Sequence, residues 1–89
     1  MPDTETLARL VHDGVLRVED GEPHTTRRWQ AAMARAALIL RDAKAPADDL
    51  RLPIALALVQ LYGEQADEFL VADFVAELLP IELAEAGVH

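Results

Sequence analysis

The sequence predicts one all-α, or mainly α, domain over residues 1–89. We expect a small bundle of four to five helices, with or without a short β-ribbon at about residues 15–24. Hydrophobic residues make up 52% of the 89-residue chain and recur at helical spacing in successive segments. Glycine and proline fall between those segments, and no repeat or linker divides the chain. The scaling of accessible surface area with molecular mass predicts that folding buries about 64% of the surface of the unfolded chain, which is enough for one modest core.

The first predicted helix runs from Thr4 to Asp13. Its apolar residues lie on one face at spacings of three and four, namely Leu7, Leu10 and Val11. Asp3 or Thr4 can cap its first turn, and Gly14 follows at a position where glycine commonly ends a helix. A short amphipathic helix is therefore expected at the start of the chain.

A brief apolar cluster comes next, formed by Val15, Leu16 and Val18. The Asp20-Gly21 pair after it favours a tight β-hairpin turn, because both residue types tolerate positive φ. Pro23 has no backbone N–H, so a returning strand would lie at a sheet edge. These residues are the basis for the β-ribbon.

The longest helix is predicted from an N-cap at Thr25 or Thr26 to about Lys44. Apolar residues recur along one side of it: Trp29, Ala32, Met33, Ala36, Ala37 and Leu40. The opposite, mainly polar side carries Arg28, Arg35 and Asp42 together with the apolar Leu38 and Ile39.

Residues 45–47 interrupt the helical pattern, and Asp48 or Asp49 can cap a third helix. That helix tolerates Pro53, since a backbone N–H in the first turn has no intrahelical partner to lose. From Leu52 to Tyr62 it is apolar almost all round before a glycine ends it. Such a helix either lies at the centre of the fold or has its second face covered by another chain.

A fourth helix is predicted from about Asp67 to Leu79, where Pro80 is expected to close it. One face is apolar and consists of Leu70, Val71, Phe74, Val75, Leu78 and Leu79. The residues outside that stripe include Phe69, Asp73 and Glu77. A further turn is expected to pack the end of the chain back onto the bundle through Ile81, Leu83 and Ala84.

Charge is divided along the chain. The formal net charge is −8; residues 1–51 hold all eight basic residues and nine acids, whereas residues 52–89 hold seven acids and no Lys or Arg. A segment that carries acids without any Lys or Arg disfavours binding to nucleic acid and favours binding to a basic protein surface.

Composition excludes several classes of protein. The chain contains neither cysteine nor serine, which rules out disulfides, thiolate metal sites and nucleophilic catalysis by either residue. The longest nearly apolar run is about half of the ~20 residues that a membrane span needs, and the N-terminus is acidic where a signal peptide is basic. We therefore expect a cytoplasmic protein without membrane association. The preference for arginine over lysine is typical of GC-rich bacterial genomes.

The most suggestive local group of polar residues begins the long helix: His24, Thr25, Thr26, Arg27 and Arg28. Free backbone N–H groups, two hydroxyls and two guanidiniums could converge there on an anion such as phosphate. The alternative, which the sequence favours, is that the chain's own acids pair with these groups. The acids would come from residues 19–22 or from the C-terminal half.

Part of the chain resembles a winged-helix DNA-binding domain. Residues 7–18, followed by the acidic turn at 19–22 and residues 25–29, are similar to the end of a recognition helix and its wing. The resemblance implies a nucleic-acid-binding regulator. However, the helix that would enter the groove offers only Arg9 and His12 against several acids, so nucleic acid is an unlikely partner.

No pattern indicates an enzyme. His12, His24 and His89 are far apart, and no metal-ligand spacing or glycine-rich phosphate loop occurs. Acid pairs on one helix face are more typical of a solvated face than of a general acid and base. We therefore assign no catalytic residue, no metal and no cofactor.

Association with protein is the function that the sequence favours. We expect a small non-catalytic interaction or regulatory module, either a homodimer or bound to a larger protein partner, with apolar helix faces and complementary charges in the interface. The candidate interface residues are Arg28, Arg35, Leu38, Phe69, Asp73 and Glu77.

Overall fold

The computed structural model describes residues 4–87, and this part of the chain is 69% helical. Asp3, one candidate cap, and His89 lie outside the described residues. The elements are α1 (Thr4–His12), β1 (Leu16–Glu19), β2 (Glu22–Thr25), α2 (Arg27–Asp42), α3 (Arg51–Tyr62), a 3-10 turn (Gly63–Gln65) and α4 (Glu68–Glu85). The mainly α prediction is confirmed, as is the β-ribbon.

The two strands form an antiparallel hairpin whose register pairs Glu19 with Glu22 and Val18 with Pro23. Asp20 and Gly21 occupy the turn with φ of 52° and 78°, the positive values that a two-residue hairpin turn of this hand requires. In an antiparallel ladder, hydrogen-bonded and non-hydrogen-bonded residue pairs alternate, and the Val18–Pro23 pair is of the second kind. The missing N–H of Pro23 therefore removes no hydrogen bond between the strands. The short ribbon that the apolar cluster and the Asp20-Gly21 turn allowed is therefore present.

The expectation of a bundle of four to five helices is wrong, because the hairpin is part of the packed fold. Helix α3 packs on both α2 and α4, while α1 packs on β1 and α4, and β2 packs on α4. Val15 and Leu16, at the start of the hairpin, are almost fully buried. The hairpin therefore contributes to the core alongside the four helices, and the expected additional turn at the end of the chain is a continuation of α4.

One core joins all of these elements. Its fully or almost fully buried apolar residues are Leu10, Val15, Leu16, Trp29, Ala32, Ala36, Ile54, Ala57, Leu58, Phe74 and Leu78. Trp29 is the largest of them and lies in the first turn of α2. The helical spacing on α2 and α4 predicted the buried side of each helix correctly.

A side-chain cap begins α2, whereas the N-cap of α3 is Leu50, which has no side-chain hydrogen bond. The expected cap at Asp48 or Asp49 therefore does not form, although Asp49 lies one residue earlier and bonds to the first turn. The Thr26 hydroxyl accepts a hydrogen bond from the Trp29 N–H at 3.2 Å, as expected of an N-cap threonine. The Asp49 carboxylate accepts one from the Arg51 N–H at 3.0 Å. Pro53 lies in the first turn of α3, where it replaces no helical hydrogen bond.

The prediction that Pro80 closes the fourth helix is wrong, because α4 continues to Glu85. Proline removes one helical hydrogen bond and crowds the preceding turn, at a cost of about 3 kcal/mol in an isolated helix. Here the next turn is held by tertiary contacts: Ile81 is half-buried and Glu82 is buried. Gly87, with φ of 75°, follows the end of the helix.

Candidate functional site

The candidate anion site at residues 24–28 lies where β2 leads into α2. Besides capping α2, the Thr26 hydroxyl donates a hydrogen bond to the Gly14 carbonyl at 2.5 Å. The Thr26 N–H donates to the Val15 carbonyl at 3.1 Å. Thr26 therefore joins the end of α1 to the start of α2, and its polar atoms are engaged within the chain.

An anion does occupy this region, and it is the carboxylate of Glu85 at the end of α4. The Thr25 N–H donates to Glu85 Oε1 at 2.8 Å, and the Thr25 hydroxyl donates to Glu85 Oε2. His24 Nδ1 lies 3.6 Å from the same carboxylate, and the Gln30 amide donates to the Thr25 hydroxyl at 2.6 Å. The backbone N–H of Thr25, at the edge of the hairpin, thus has its hydrogen-bond acceptor on α4.

Electrostatics agree with an ionised Glu85. Burial by itself raises the pKa of its carboxyl, but the hydrogen bonds from Thr25 and electrostatic interactions with His24 and Arg17 together lower the pKa below its ordinary value. An acid from the C-terminal half of the chain therefore meets Thr25 and His24. The favoured interpretation required an acid for the two arginines, and Glu85 does not pair with them.

A second carboxyl from the same helix lies beside it. The indole N–H of Trp29 donates to Glu82 Oε1 at 2.6 Å, and both side chains are buried. Burial raises the pKa of Glu82, the charge of Glu85 raises it further, and hydrogen bonds from Trp29 and Gln30 oppose the rise. These residues line an open groove of about 650 Å³, whose members are Arg17, His24, Thr25, Gln30, Glu82, Glu85 and Ala86.

Two carboxyls whose pKa values move in opposite directions form the electrostatic pattern of an acid–base pair. In this cluster, however, both oxygens of Glu85 and Oε1 of Glu82 accept hydrogen bonds from the chain itself. The arrangement ties the end of α4 to the hairpin and to α2. Neither acid stands out in the sequence, although Glu82 follows Leu78 by four residues and so continues the buried stripe of α4.

The two arginines of the candidate anion site do not join this cluster. Arg27 and Arg28 are exposed, and neither forms an ion pair within the part of the chain that the structure describes. The stem of Arg28 runs past Gly14, and its side chain lines a small groove of about 240 Å³ with Asp13 and Tyr62. The five predicted residues therefore do not converge on one point.

A third cluster, also missed from the sequence, surrounds Arg9. Its guanidinium carbon lies 5.4 Å from the ring centre of Tyr62 and 5.6 Å from that of Phe74, and its Nε lies 3.5 Å from Asp13 Oδ2. The Tyr62 hydroxyl donates to the same Asp13 oxygen at 2.6 Å. Burial, aided by Asp13, raises the pKa of Tyr62. This cluster fastens α1 to α3 and α4 and engages Arg9, one of the two basic residues that α1 would offer to a nucleic acid.

The candidate interface residues lie on two helices that both pack on α3. On α2, Arg35 Nε donates to Gln60 Oε1 at 3.4 Å, and Leu38 is 51% exposed. On α4, Phe69 is 74% exposed, Asp73 is exposed and Glu77 is half-buried. The large exposed fraction of Phe69 agrees with its position outside the apolar stripe.

Helix α3 presents apolar residues on both of its sides. Ile54, Ala57 and Leu58 are fully buried in the core. The other side, here called the α3 outer face, consists of Leu52, Ala55, Leu56 and Val59, at spacings of three, four and seven. Ala55 and Leu56 are half-buried, and Leu56 also packs against the core. Leu52 is 40% exposed and Val59 is 46% exposed, and no charged residue interrupts this face.

Comparison with protein-family models, with curated proteins and with solved structures finds no match to this chain. Within residues 4–87, no group of three or more acidic or histidine side chains is placed to hold a metal ion. None of the helices in that range combines the length and the apolar character needed to cross a membrane.

Proposed function

We propose that this chain is a small cytoplasmic interaction or regulatory module that forms a homodimer through the α3 outer face. The observation that supports the proposal is the exposure of Leu52 and Val59 on the helix that lies between α2 and α4 in the packing. An apolar, uncharged face on a central helix is typical of a protein–protein interface. A solvent-facing helix side normally carries charged residues instead.

Charged residues around the apolar face would orient the two copies. Arg28 and Arg35 lie on α2, and Asp73 and Glu77 lie on α4. Packing two copies about a two-fold axis parallel to α3 sets α2 of one copy opposite α4 of the other. That arrangement would bring the helix that carries Arg28, Arg35 and Leu38 near the helix of the other copy that carries Phe69, Asp73 and Glu77.

Light scattering after gel filtration at micromolar concentration tests the proposal. We expect a dimer for the native chain and a monomer for Val59→Asp, since the substitution places a charge in the middle of the apolar contact. Val18→Asp is the matched control, because Val18 is 57% exposed on the hairpin, far from α3 in the sequence. We expect it to remain a dimer.

A native chain that elutes as a strict monomer would contradict the homodimer. The same α3 outer face would then be tested against a larger protein partner by comparing capture by the native chain with capture by Val59→Asp.

A further inference from the structure

The connection between α2 and α3 encloses a groove of about 550 Å³. This volume is within the range of about 300–1,000 Å³ that small-molecule sites occupy. Its apolar lining comes from the end of α2, the connecting segment and the first turn of α3: Ala37, Leu40, Ala45, Pro46, Ala47, Leu50 and Pro53. Leu40, Leu50 and Pro53 are half-buried, so they form a floor rather than a protruding surface.

The charged residues of the groove leave it positive. Arg41, Lys44 and Asp49 line it. The Asp49 carboxylate is paired with Arg51 at 2.9 Å, and that pairing lowers the Asp49 pKa. Arg41 and Lys44 form no ion pair with any residue that the structure describes. Two cations therefore stand beside an apolar floor without an internal counter-ion.

Lys44 has an unfavourable backbone conformation at this place. Its φ is 57°, and it follows the C-cap of α2, the position that glycine usually occupies. The Lys44 N–H donates to the Arg41 carbonyl at 3.0 Å, and the Ala45 N–H donates to the Leu40 carbonyl at 2.9 Å, which is the usual hydrogen-bond pattern of such a helix end. Glycine would make the same bonds with less strain. The positive charge of Lys44 beside the C-terminal carbonyls of α2 offsets part of that strain.

We propose that this groove binds a small amphiphilic carboxylate, such as a free medium-chain fatty acid. Its hydrocarbon chain would lie on Leu40, Leu50 and Pro53, and its carboxylate would meet Lys44 and Arg41. Apolar surface together with unpaired cations selects an anion with a hydrocarbon tail over a neutral or cationic amphiphile.

NMR titration with octanoate tests this proposal. We expect the amide resonances of Leu40, Ala45 and Leu50 to shift in a saturable manner. Octan-1-ol, which has the same chain without the charge, should bind about fivefold more weakly, as expected for an exposed ion pair. Absence of shifts in these residues at millimolar octanoate, or equal affinity for the alcohol, would overturn the proposal.

Substitution of Lys44 by glycine separates binding from folding. Lys44→Gly relieves the positive φ, so the variant should unfold at a higher temperature while binding octanoate about fivefold more weakly. Arg27→Gln is the matched control, because it removes one exposed charge at the opposite end of α2 and should leave affinity unchanged. An equal loss of octanoate affinity in Lys44→Gly and Arg27→Gln would show that binding depends only on the net charge of the protein, and it would contradict a site in the groove.

The groove and the α3 outer face share no residue. Val59→Asp, the variant that should abolish the dimer, is therefore expected to bind octanoate as the native chain does. The two proposals can fail independently.

Discussion

The indole Nε1 of Trp29 lies 2.6 Å from Oε1 of Glu82, and this buried hydrogen bond joins the first turn of α2 to the last turns of α4. Glu82 comes two residues after Pro80, at which a helix would ordinarily stop. The bond gives the segment beyond the proline a fixed partner in the core. It therefore explains how α4 extends far enough for Glu85 to reach the hairpin.

Replacement of Trp29 by phenylalanine should destabilise the fold. Phe keeps most of the buried apolar area but removes the donor to Glu82, and a buried polar group that loses its partner costs about 1–3 kcal/mol. Urea unfolding followed by circular dichroism measures the change. A Trp29→Phe variant as stable as the native chain would show that water or Gln30 satisfies Glu82 equally well.

Glu82 should make stability fall as the pH rises. Its pKa in the folded state is raised above the ordinary value of 4.5, so between the two values the folded chain binds more protons than the unfolded chain. Stability contributed by the neutral acid is complete below about pH 4.5 and decreases as the pH rises through the folded-state pKa. Glu82→Gln cannot ionise and should not show this decrease.

Free energies of unfolding from pH 4 to pH 7 measure the effect. The difference between Glu82→Gln and the native chain should grow with pH and favour the variant. Glu64→Gln, at an exposed position in the 3-10 turn, is the control and should run parallel to the native chain. If the free energy of unfolding of Glu82→Gln also runs parallel to that of the native chain across this pH range, the raised pKa of Glu82 is contradicted.

Glu85 should have the opposite pH dependence. Its pKa is lowered in the folded state, so the stability from its charged form is present above the ordinary pKa of about 4.5 and disappears as the pH falls through the folded-state value. Glu85→Gln should lose about 1 kcal/mol near neutral pH, since it weakens two hydrogen bonds to Thr25. The loss should shrink in acid. If the Glu85→Gln variant loses the same stability in acid as at neutral pH, the geometry of the Glu85 hydrogen bonds, and not the charge of its carboxylate, stabilises the fold.

The amide of Gln60 provides a test of packing between α2 and α3. Its Oε1 accepts a weak hydrogen bond from Arg35, but its Nε2 is buried without a partner within the described part of the chain. Gln60→Leu should therefore stabilise the fold by about 1 kcal/mol. Gln65→Leu, which removes an exposed acceptor of Arg9, should give no gain. Destabilisation by Gln60→Leu would show that Nε2 has a partner in solution.

Sequence reasoning was successful where short-range chemistry decides the structure. The Asp20-Gly21 turn, the Thr26 cap and the buried side of α2 depend on neighbouring residues and periodicity. It failed at Pro80, because the contact that compensates for the proline comes from Trp29, more than half the chain away. For the same reason it could not assign Glu85 as the partner of Thr25.

The candidate site shows the same difference between features that neighbouring residues decide and contacts between residues far apart in the chain. The sequence located the polar residues at the start of α2 and predicted that an acid of the chain would pair with them. Glu85 meets Thr25 and His24, but Arg27 and Arg28 have no such partner among the described residues. It also predicted that α3 lacks a polar side. Which residues of α3 remain exposed depends on how α2 and α4 pack around it, and that packing is not encoded in any local pattern.

Disulfide cross-linking of single-cysteine variants is the most direct test of the proposed dimer, because the chain has no cysteine of its own. Cysteine at Leu52, Ala55 or Val59 would place a thiol on the α3 outer face, and a disulfide requires Cα atoms within about 7 Å of each other. We expect at least one of these variants to form a covalent dimer under mild oxidation much faster than Val18→Cys. Equally slow cross-linking in all four variants would contradict association through the α3 outer face.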